Sequence, residues 1–477
     1  MTASRRVVMI GLDAGDRELL AAYGAELPNI SRLFAEGVEG KLEAEPLSGS
    51  LWPSFYTRGG PGGHGIYQHL QWDPDRMKVR RLDRSWLQTR PFWRDLGEQG
   101  VRVTAVDVPF VLPGETSPNV LEVMNWGSQD QIGSFWATDK PLGRRILAEF
   151  GPHPMGIEIP VPKTAAQLKR MTEATIKGAG VKGRLTVALM RERPWDLFIV
   201  AFGETHRAGH TLWTDPACPA PDDALIRVYK AVDAAVGAIK AEAGPDTEIV
   251  LFALHGMGLN CSQSHLTSIF MQRALARFRG RPAPQEKGEA PGLFRALRRR
   301  LPAGLQLTVA NLVPQWVRDT VVSREIDGGY RWSDTLGFCL HGDLAGCLRL
   351  NIKGREAKGV LSEREAADLK AFLRTELEAL RLPDGRPVVR SVMLPTEELP
   401  GPRAHLLPDI LAEWNPDIGA AHEVHSPNLG VIRARPETGR GGNHRFNGFY
   451  VHAGPSQKSN VRPRRVSQLG DLVEALI

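Results

Sequence analysis

The sequence predicts an α/β fold in which a mostly parallel sheet is covered by helices on both faces. Four short segments rich in apolar, β-branched or aromatic residues indicate buried strands: residues 7–12, 101–108, 195–202 and 248–254. Helical patterns lie between them, and residues 225–241 place Val228, Val232, Val236 and Ile239 on one face. Strands that alternate with helices form parallel sheets whose ligands bind beyond the carboxyl ends of the strands.

The pattern divides the chain into three parts. Residues 1–271 are predicted to form the first part of an α/β core, residues 272–331 to form an inserted lid, and residues 332–477 to complete the core with strand-like patterns at 409–414 and 449–452. The insertion has Pro and Gly breaks and a basic run at 293–301, which is typical of a solvated helix face on a lid. Attraction to a membrane surface or a polyanion is the alternative.

Composition narrows the functional classes. With 42% hydrophobic and 24% charged residues, the chain is expected to fold as a globular protein. Its net charge of +6 is too diluted to indicate a nucleic-acid-binding protein by itself, and it is equally compatible with a small anionic substrate. Four cysteines without CxxC spacing, and no run of about 18 apolar residues, favour a soluble cytoplasmic protein.

Potential metal ligands follow several of the predicted strands. Asp13 comes after the first strand, His206 and His210 come after the third, His255 comes after the fourth, and His444 precedes the strand at 449–452. In a helical turn the first two histidines would share one face and could bind one cation. Each residue alone is also explained by capping or hydrogen bonding, but their joint occurrence favours a metal site.

A Ser-rich stretch precedes a short predicted helix and a Gly-rich turn that closes on His64. The hydroxyls at the start of this stretch are explained either as helix caps or as a nucleophile placed where backbone N–H groups receive an anion.

The order of these motifs resembles the alkaline phosphatase superfamily, in particular its type I phosphodiesterase and nucleotide pyrophosphatase branch with the bacterial phosphohydrolases and phosphomutases. The matching motifs are GLD at 11–13, TRGGPGGHG at 57–65, ETHRAGH at 204–210, LHGM at 254–257 and the loop at 442–448. The resemblance implies an alkaline-phosphatase-like sheet. It also places the nucleophile at Ser48, six residues before Ser54, on a helix at 49–58, with Ser50 as a weaker candidate.

The resemblance also implies a set of metal ligands, in a family whose site holds two divalent cations. These residues are Asp13, Ser48, His206, His210, His255 and His444. Two family aspartates are replaced here, by His206 and by Leu254. We therefore expect one zinc site on His206, His210 and His444, and a second site that lacks a ligand. Asp16, Glu204, water or the bound substrate could complete that second site.

The implied function is a metal-dependent phosphoester hydrolase, acting on a mono- or diester through a phosphoseryl intermediate at Ser48. A phosphotransferase or phosphomutase is an alternative, because the same intermediate can be discharged onto an alcohol. An inactive relative that binds metal or phosphate is the other alternative. A sulfatase is disfavoured because the Cys-x-Pro-x-Arg pattern is missing near Ser48. The expected partner is a small anionic phosphoester, and the oligomeric state stays open.

Overall fold

A computed structural model describes most of the chain. The described residues are 6–45, 47–86, 90–129, 132–156, 158–159, 161–213, 223–282, 305, 312–314, 316–317, 320, 323, 330–340, 345–436, 439–456 and 460–477. The basic run at 293–301 and most of the expected lid lie outside these residues, whereas residues 272–278 belong to a long helix, Ser264–Phe278.

The strands follow the pattern read from the sequence. In chain order they are Arg6–Leu12 (β1), Val38–Glu43 (β2), Leu70–Asp73 (β3), Lys78–Arg81 (β4), Val103–Val106 (β5), Val120–Met124 (β6), Trp136–Ala137 (β7), Leu197–Phe202 (β8), Thr247–Ala253 (β9), Gly256–Leu259 (β10), Gly337–Cys339 (β11), Ala345–Leu350 (β12), Val389–Met393 (β13), Ile410–Trp414 (β14), Glu423–Ser426 (β15), Gly430–Arg433 (β16), Gly442–Arg445 (β17) and Asn447–Ala453 (β18). The four predicted strands correspond to β1, β5, β8 and β9.

The α-helices alternate with the strands in the first half of the chain. They are Arg17–Ala22 (α1), Pro28–Glu36 (α2), Leu51–Thr57 (α3), Pro61–His64 (α4), Phe92–Glu98 (α5), Lys140–Phe150 (α6), Ala165–Glu192 (α7), Glu204–Leu212 (α8), Ala224–Ala243 (α9), Ser264–Phe278 (α10), Glu363–Glu378 (α11), Pro395–Glu398 (α12) and Leu469–Leu476 (α13). Within the described part of the chain, no helix is both long and apolar enough to cross a lipid bilayer.

Eight strands form one large, mostly parallel sheet in the order β2-β18-β9-β1-β8-β5-β6-β7. The five strands from β9 to β6 are parallel, and the pairings made by β18 and β7 are antiparallel. Because β1 is buried on both faces, its apolar side chains enter two cores. Val8 and Ile10 pack with α7 and α9, whereas Val7 and Met9 pack with α3, α5 and α13. The prediction of helices on both faces of a mostly parallel sheet is confirmed.

A second, smaller sheet lies in the C-terminal third. Strands β11, β12, β14 and β13 form it in that order, and α10 and α11 cover it with a separate apolar cluster. Of the span 332–477, β18 therefore extends the large sheet, while the strand predicted at 409–414 belongs to the small one. An apolar strand pattern predicts burial, but it does not say which sheet provides the neighbours. The three-part division of the chain stays a prediction.

Candidate metal centre

Helix α8 places two imidazoles on one face, directly beyond the carboxyl end of β8. His206 and His210 are both buried, and their Nε2 atoms lie 3.0 Å apart. The i, i+4 spacing brings their side chains together because residues four apart lie one above the other on a helix. The structure thus confirms the helical turn predicted from the HxxxH spacing.

A third imidazole comes from β17, which pairs antiparallel with β10 so that His444 lies opposite Met257. Its Nε2 lies 2.8 Å from His206 Nε2 and 3.1 Å from His210 Nε2. The strand can approach α8 this closely because Gly442 has no side chain. A Cβ atom on Gly442 would lie 2.1 Å from the carbonyl oxygen of Gly209 in α8. The glycine of the GGNH motif therefore brings His444 into the cluster.

The hydrogen bonds of the Nδ1 atoms determine whether each Nε2 atom carries a hydrogen or a lone pair. His206 Nδ1 donates to Asp13 Oδ2 at 2.8 Å, and His210 Nδ1 donates to the Gly442 carbonyl at 3.0 Å. These partners assign the Nδ1–H tautomer to both neutral rings, so that both Nε2 atoms present lone pairs. His444 Nδ1 is buried without a hydrogen-bond partner among the described residues. At most one of the three Nε2 atoms, that of His444, can then carry a hydrogen.

Lone pairs that face one another at about 3 Å repel unless a cation lies between them. A proton is a poor candidate, because burial and the nearby His255, His206 and His210 lower the pKa of His444 well below its usual range. Zinc bonds imidazole nitrogen at about 2.0–2.1 Å, so two nitrogens of a tetrahedral site lie about 3.3 Å apart. The observed separations of 2.8–3.1 Å fit such an ion with a small outward shift.

Asp13 lies just after β1 and connects the cluster to the helix that follows Ser48. Its Oδ1 accepts a hydrogen bond of 2.8 Å from the indole N–H of Trp52 in α3. Burial opposes ionisation of Asp13, but the neighbouring His206 with its hydrogen bond, together with His255 and Trp52, outweighs burial and lowers the pKa to about 2. Gly11 makes room for the indole, because a Cβ there would lie 2.8 Å from Trp52. Trp52 is a site residue that sequence reasoning missed, since nothing local marks a contact across 39 positions.

His255 lies at the edge of this cluster, between β9 and β10. Its Nε2 is 3.8 Å from Asp13 Oδ1, and its ring centroid is 4.4 Å from that of His444. One potential ligand atom from each of His206, His255 and His444 lies within 4.8 Å of the others. The neighbouring Leu254 is buried in the apolar core and offers no ligand atom. The structure therefore brings together Asp13 and the four predicted histidines.

The two serine candidates differ in their surroundings. Residues 48–50 form a single 3₁₀ turn before α3, and Ser48 is partly exposed. Ser50 is fully buried, and its hydroxyl donates to the Leu47 carbonyl at 2.7 Å. Ser50 makes no side-chain cap on α3, so the capping explanation of this hydroxyl does not hold. Between the two serines, the structure leaves Ser48 as the more accessible hydroxyl.

The histidine of the Gly-rich turn has a structural role. His64 Nδ1 accepts from the Ile66 backbone N–H at 3.0 Å, which leaves its Nε2–H to donate to the Ser54 hydroxyl at 3.0 Å. Burial, together with the charge of Arg403, lowers the pKa of His64 to about 3. The neutral ring thus attaches the turn to α3.

The two carboxylates expected to complete a second metal site have other partners. Asp16 accepts the Leu19 backbone N–H at 2.8 Å and caps α1. The buried Glu204 lies 3.3 Å from Lys182 Nζ and 3.1 Å from His153 Nε2. Although burial opposes its ionisation, Lys182 and His153 lower the pKa of Glu204 to about 2. Glu204 therefore anchors the start of α8, and a role of either carboxylate in a second metal site stays a prediction.

Comparisons with known proteins agree with this fold. The model of the type I phosphodiesterase / nucleotide pyrophosphatase family matches residues 7–431, a range that includes each predicted site residue except His444. Phosphonoacetate hydrolase from Sinorhizobium meliloti 1021, solved with phosphonoformate, is 15% identical with a TM-score of 0.54 over 99% of this chain and 96% of that chain. Murine ectonucleotide pyrophosphatase/phosphodiesterase 5, solved as an inactive form with AMP, is 12% identical with a TM-score of 0.52 over 99% and 95%. No curated protein sequence matches the chain.

At these identities the two solved structures establish the alkaline-phosphatase-like fold, and the family match covers far more than half of the chain. The family match supports a phosphoester hydrolase. The chain belongs to the type I phosphodiesterase / nucleotide pyrophosphatase family of the alkaline phosphatase superfamily.

Proposed function

We propose that this protein is a metal-dependent phosphoester hydrolase in which Ser48 is the nucleophile and zinc is the metal. The observation that carries the proposal is the convergence of the Nε2 atoms of three histidines at one point beyond the carboxyl end of the sheet. Ligands bind in this position in open α/β sheets. Trp52, in the helix that follows Ser48, donates to Asp13, which is in turn bonded to His206.

His206, His210 and His444 would hold the ion. When bound, zinc supplies a Lewis acid that polarises a phosphoryl oxygen and stabilises developing negative charge. Asp13, His255 and Ser48 form the predicted second set, which borders the three histidines through the contacts of Asp13 and His255.

The proposed reaction has two displacements at phosphorus. In the first, Ser48 Oγ forms a bond to phosphorus, the ester P–O bond breaks, and the leaving alcohol takes up the proton that the serine has lost. In the second, water attacks phosphorus, the bond to Ser48 Oγ breaks, and the hydroxyl is restored. The net change is hydrolysis of one phosphoester bond.

We propose that the substrate is a small anionic phosphoester, either a monoester or a diester. AMP and phosphonoformate, the ligands of the two similar structures, belong to this size and charge class. Discharge of the phosphoseryl group onto an alcohol would make the protein a phosphotransferase or phosphomutase. A cytoplasmic location stays a prediction.

One observation favours a second candidate function. Leu254 is 1% exposed and packs in the apolar core beside His255, so the second ligand set lacks a donor at that position. A family member without that donor could bind metal or phosphate without turnover. The two candidates differ in whether a phosphoserine forms.

The test uses purified full-length protein with zinc and aryl phosphate mono- and diesters. We expect turnover that a chelator abolishes, that Ser48→Ala removes and that Ser50→Ala preserves at a similar melting temperature. Rapid acid quenching should trap one phosphoryl group on the peptide that contains Ser48. Activity retained by Ser48→Ala would overturn the assignment of the nucleophile. Zinc binding without turnover on either ester would establish the second candidate instead.

A further inference from the structure

The hydrogen bonds of Asp13 indicate whether this residue binds the metal directly or orients a histidine that does. We infer that Asp13 does not bind the ion held by the three histidines but positions His206 toward it, so that the centre retains a single ion on His206, His210 and His444. This inference rests on the metal binding of the proposed function but not on hydrolysis.

The geometry of the imidazole ring excludes Asp13 from the coordination of that ion. The two ring nitrogens of a histidine point away from each other, and Asp13 Oδ2 is bonded to Nδ1, whereas Nε2 faces His210 and His444. An oxygen on the Nδ1 side cannot approach an ion on the Nε2 side to within about 2.2 Å, the limit for zinc–carboxylate bonds. Carboxylates in this second position fix the tautomer and orientation of a metal-binding histidine.

The other oxygen of Asp13 is also engaged. Oδ1 accepts from the Trp52 indole N–H at 2.8 Å, so the carboxylate receives one hydrogen bond on each oxygen. Its surroundings are closed, because the Asp13 residue is only 3% exposed. Trp52, Asp13 and His206 thus form a chain of hydrogen bonds from the helix after Ser48 to the metal-binding face.

A second ion would have to lie between Asp13 Oδ1 and His255 Nε2, which are 3.8 Å apart. That separation could be bridged, but the donors are few. Besides Ser48, they are an Asp13 oxygen that already accepts from Trp52 and a ring nitrogen of His255, and the residue before His255 is the buried Leu254. Structural zinc sites use four protein ligands and catalytic sites use three. We therefore expect an ion at this position to be lost on dialysis, whereas the ion on three imidazoles is retained.

The inference makes Trp52 and Asp13 positioning residues. Asp13→Asn is the informative change, because the amide has one oxygen to accept from two N–H donors, so its NH₂ group must face one of them. The mismatch weakens the chain of hydrogen bonds that orients the ring of His206 without removing a metal ligand. Loss of such an outer partner typically weakens metal binding by about 10- to 100-fold.

The test measures metal content and affinity rather than activity. Full-length protein is loaded with zinc, dialysed and assayed by mass spectrometry for metal per chain, and its zinc affinity is measured by competition with a chromophoric chelator. Cobalt(II) replaces zinc for visible absorption spectra, which report the number and type of ligands. The variants are Asp13→Asn, His210→Ala and His255→Ala, each checked for folding by circular dichroism.

We expect one ion per chain in the wild type and in His255→Ala, and less than one in His210→Ala. Asp13→Asn should bind zinc about 10- to 100-fold more weakly while its cobalt spectrum keeps the wild-type band positions. Two ions retained by the wild type would overturn the inference. A cobalt spectrum of Asp13→Asn with the features of a lost ligand, or loss of metal in His255→Ala, would overturn it as well. Absence of turnover alongside the expected metal results would refute only the proposed hydrolase.

Discussion

Replacing Lys182 by methionine should destabilise the large sheet through the start of α8. Lys182 Nζ lies 3.0 Å from Asp107 Oδ2 and 3.3 Å from Glu204 Oε2, and all three side chains are 0% exposed. Lys182→Met preserves most of the side-chain volume but leaves two buried carboxylates without their shared cation. Breaking a buried ion pair in this way costs about 3–5 kcal/mol, because the remaining charge stays desolvated.

The pKa of Glu204 gives an independent magnitude. Its lowering from an ordinary value of 4.5 to about 2, against the opposing effect of burial, reflects stabilisation of the charged form by Lys182 and His153. At about 1.4 kcal/mol for each pH unit, this difference corresponds to about 3 kcal/mol of unfolding free energy. Because the pKa is lower in the folded state, this contribution is present above about pH 4.5 and is lost as the pH falls toward about 2.

Thermal unfolding measures this loss. The unfolding entropy is about 2.1 cal/mol/K per residue, and we take the whole chain as one cooperative unit. A loss of about 3–5 kcal/mol of unfolding free energy then lowers the melting temperature by about 3–5 °C at about pH 7. In the variant, burial without Lys182 favours protonated Glu204, so the difference from wild type should shrink as the pH falls to about 5. The matched control is Arg191→Met on the same helix, since the exposed pair of Arg191 and Glu242 contributes about 0–1 kcal/mol. Equal melting temperatures for Lys182→Met and Arg191→Met would refute this reasoning.

Three further results are expected. Gly442→Ala should reduce bound zinc to well below one per chain, since the added Cβ would lie 2.1 Å from Gly209 O, whereas Gly63→Ala, where a Cβ meets open space, should retain the metal. The imidazole of His64 should show no NMR titration between about pH 5 and pH 8, because burial and Arg403 lower its pKa from 6.5 to about 3. The stability that depends on the neutral ring should decline as the pH falls from about 6.5 toward 3. An NMR titration midpoint above about pH 6 would contradict the burial argument. Zinc at about 100 times its Kd should stabilise the fold by about 2.7 kcal/mol and raise its melting temperature, and His210→Ala should abolish this shift; an equal shift in the variant would place the ion elsewhere.

The sheet and the approximate position of the site could be predicted because their signals are local. An apolar run such as residues 7–12 predicts a buried strand by itself, and the residue after a strand end lies at the carboxyl edge wherever that strand is inserted. The same holds for His206 and His210, whose proximity follows from helix geometry alone.

The partners of each side chain could not be predicted, because they depend on contacts between distant segments. Asp13 after a strand is equally compatible with a ligand, a cap and a hydrogen-bond acceptor, and its bond to His206 spans 193 positions. Glu204 at the start of the helix that carries His206 and His210 has the expected chemistry for a ligand. Its carboxylate instead contacts Lys182 and His153, which belong to other segments of the chain.

The three-imidazole set also changes the charge of the centre. Neutral imidazoles cancel none of the charge of a divalent cation, whereas each carboxylate ligand would cancel one unit. The carboxylate of Asp13 would be separated from such an ion by the ring of His206. Such a set captures the cation less strongly than one with carboxylates, but it leaves more positive charge for phosphoryl oxygens. Asp13 and the Gly442 carbonyl partly offset the weaker capture, because hydrogen bonds to Nδ1 of His206 and His210 make the opposite Nε2 atoms more basic. Histidine at position 206, where the resemblance implies an aspartate, is therefore compatible with both metal retention and an anionic substrate.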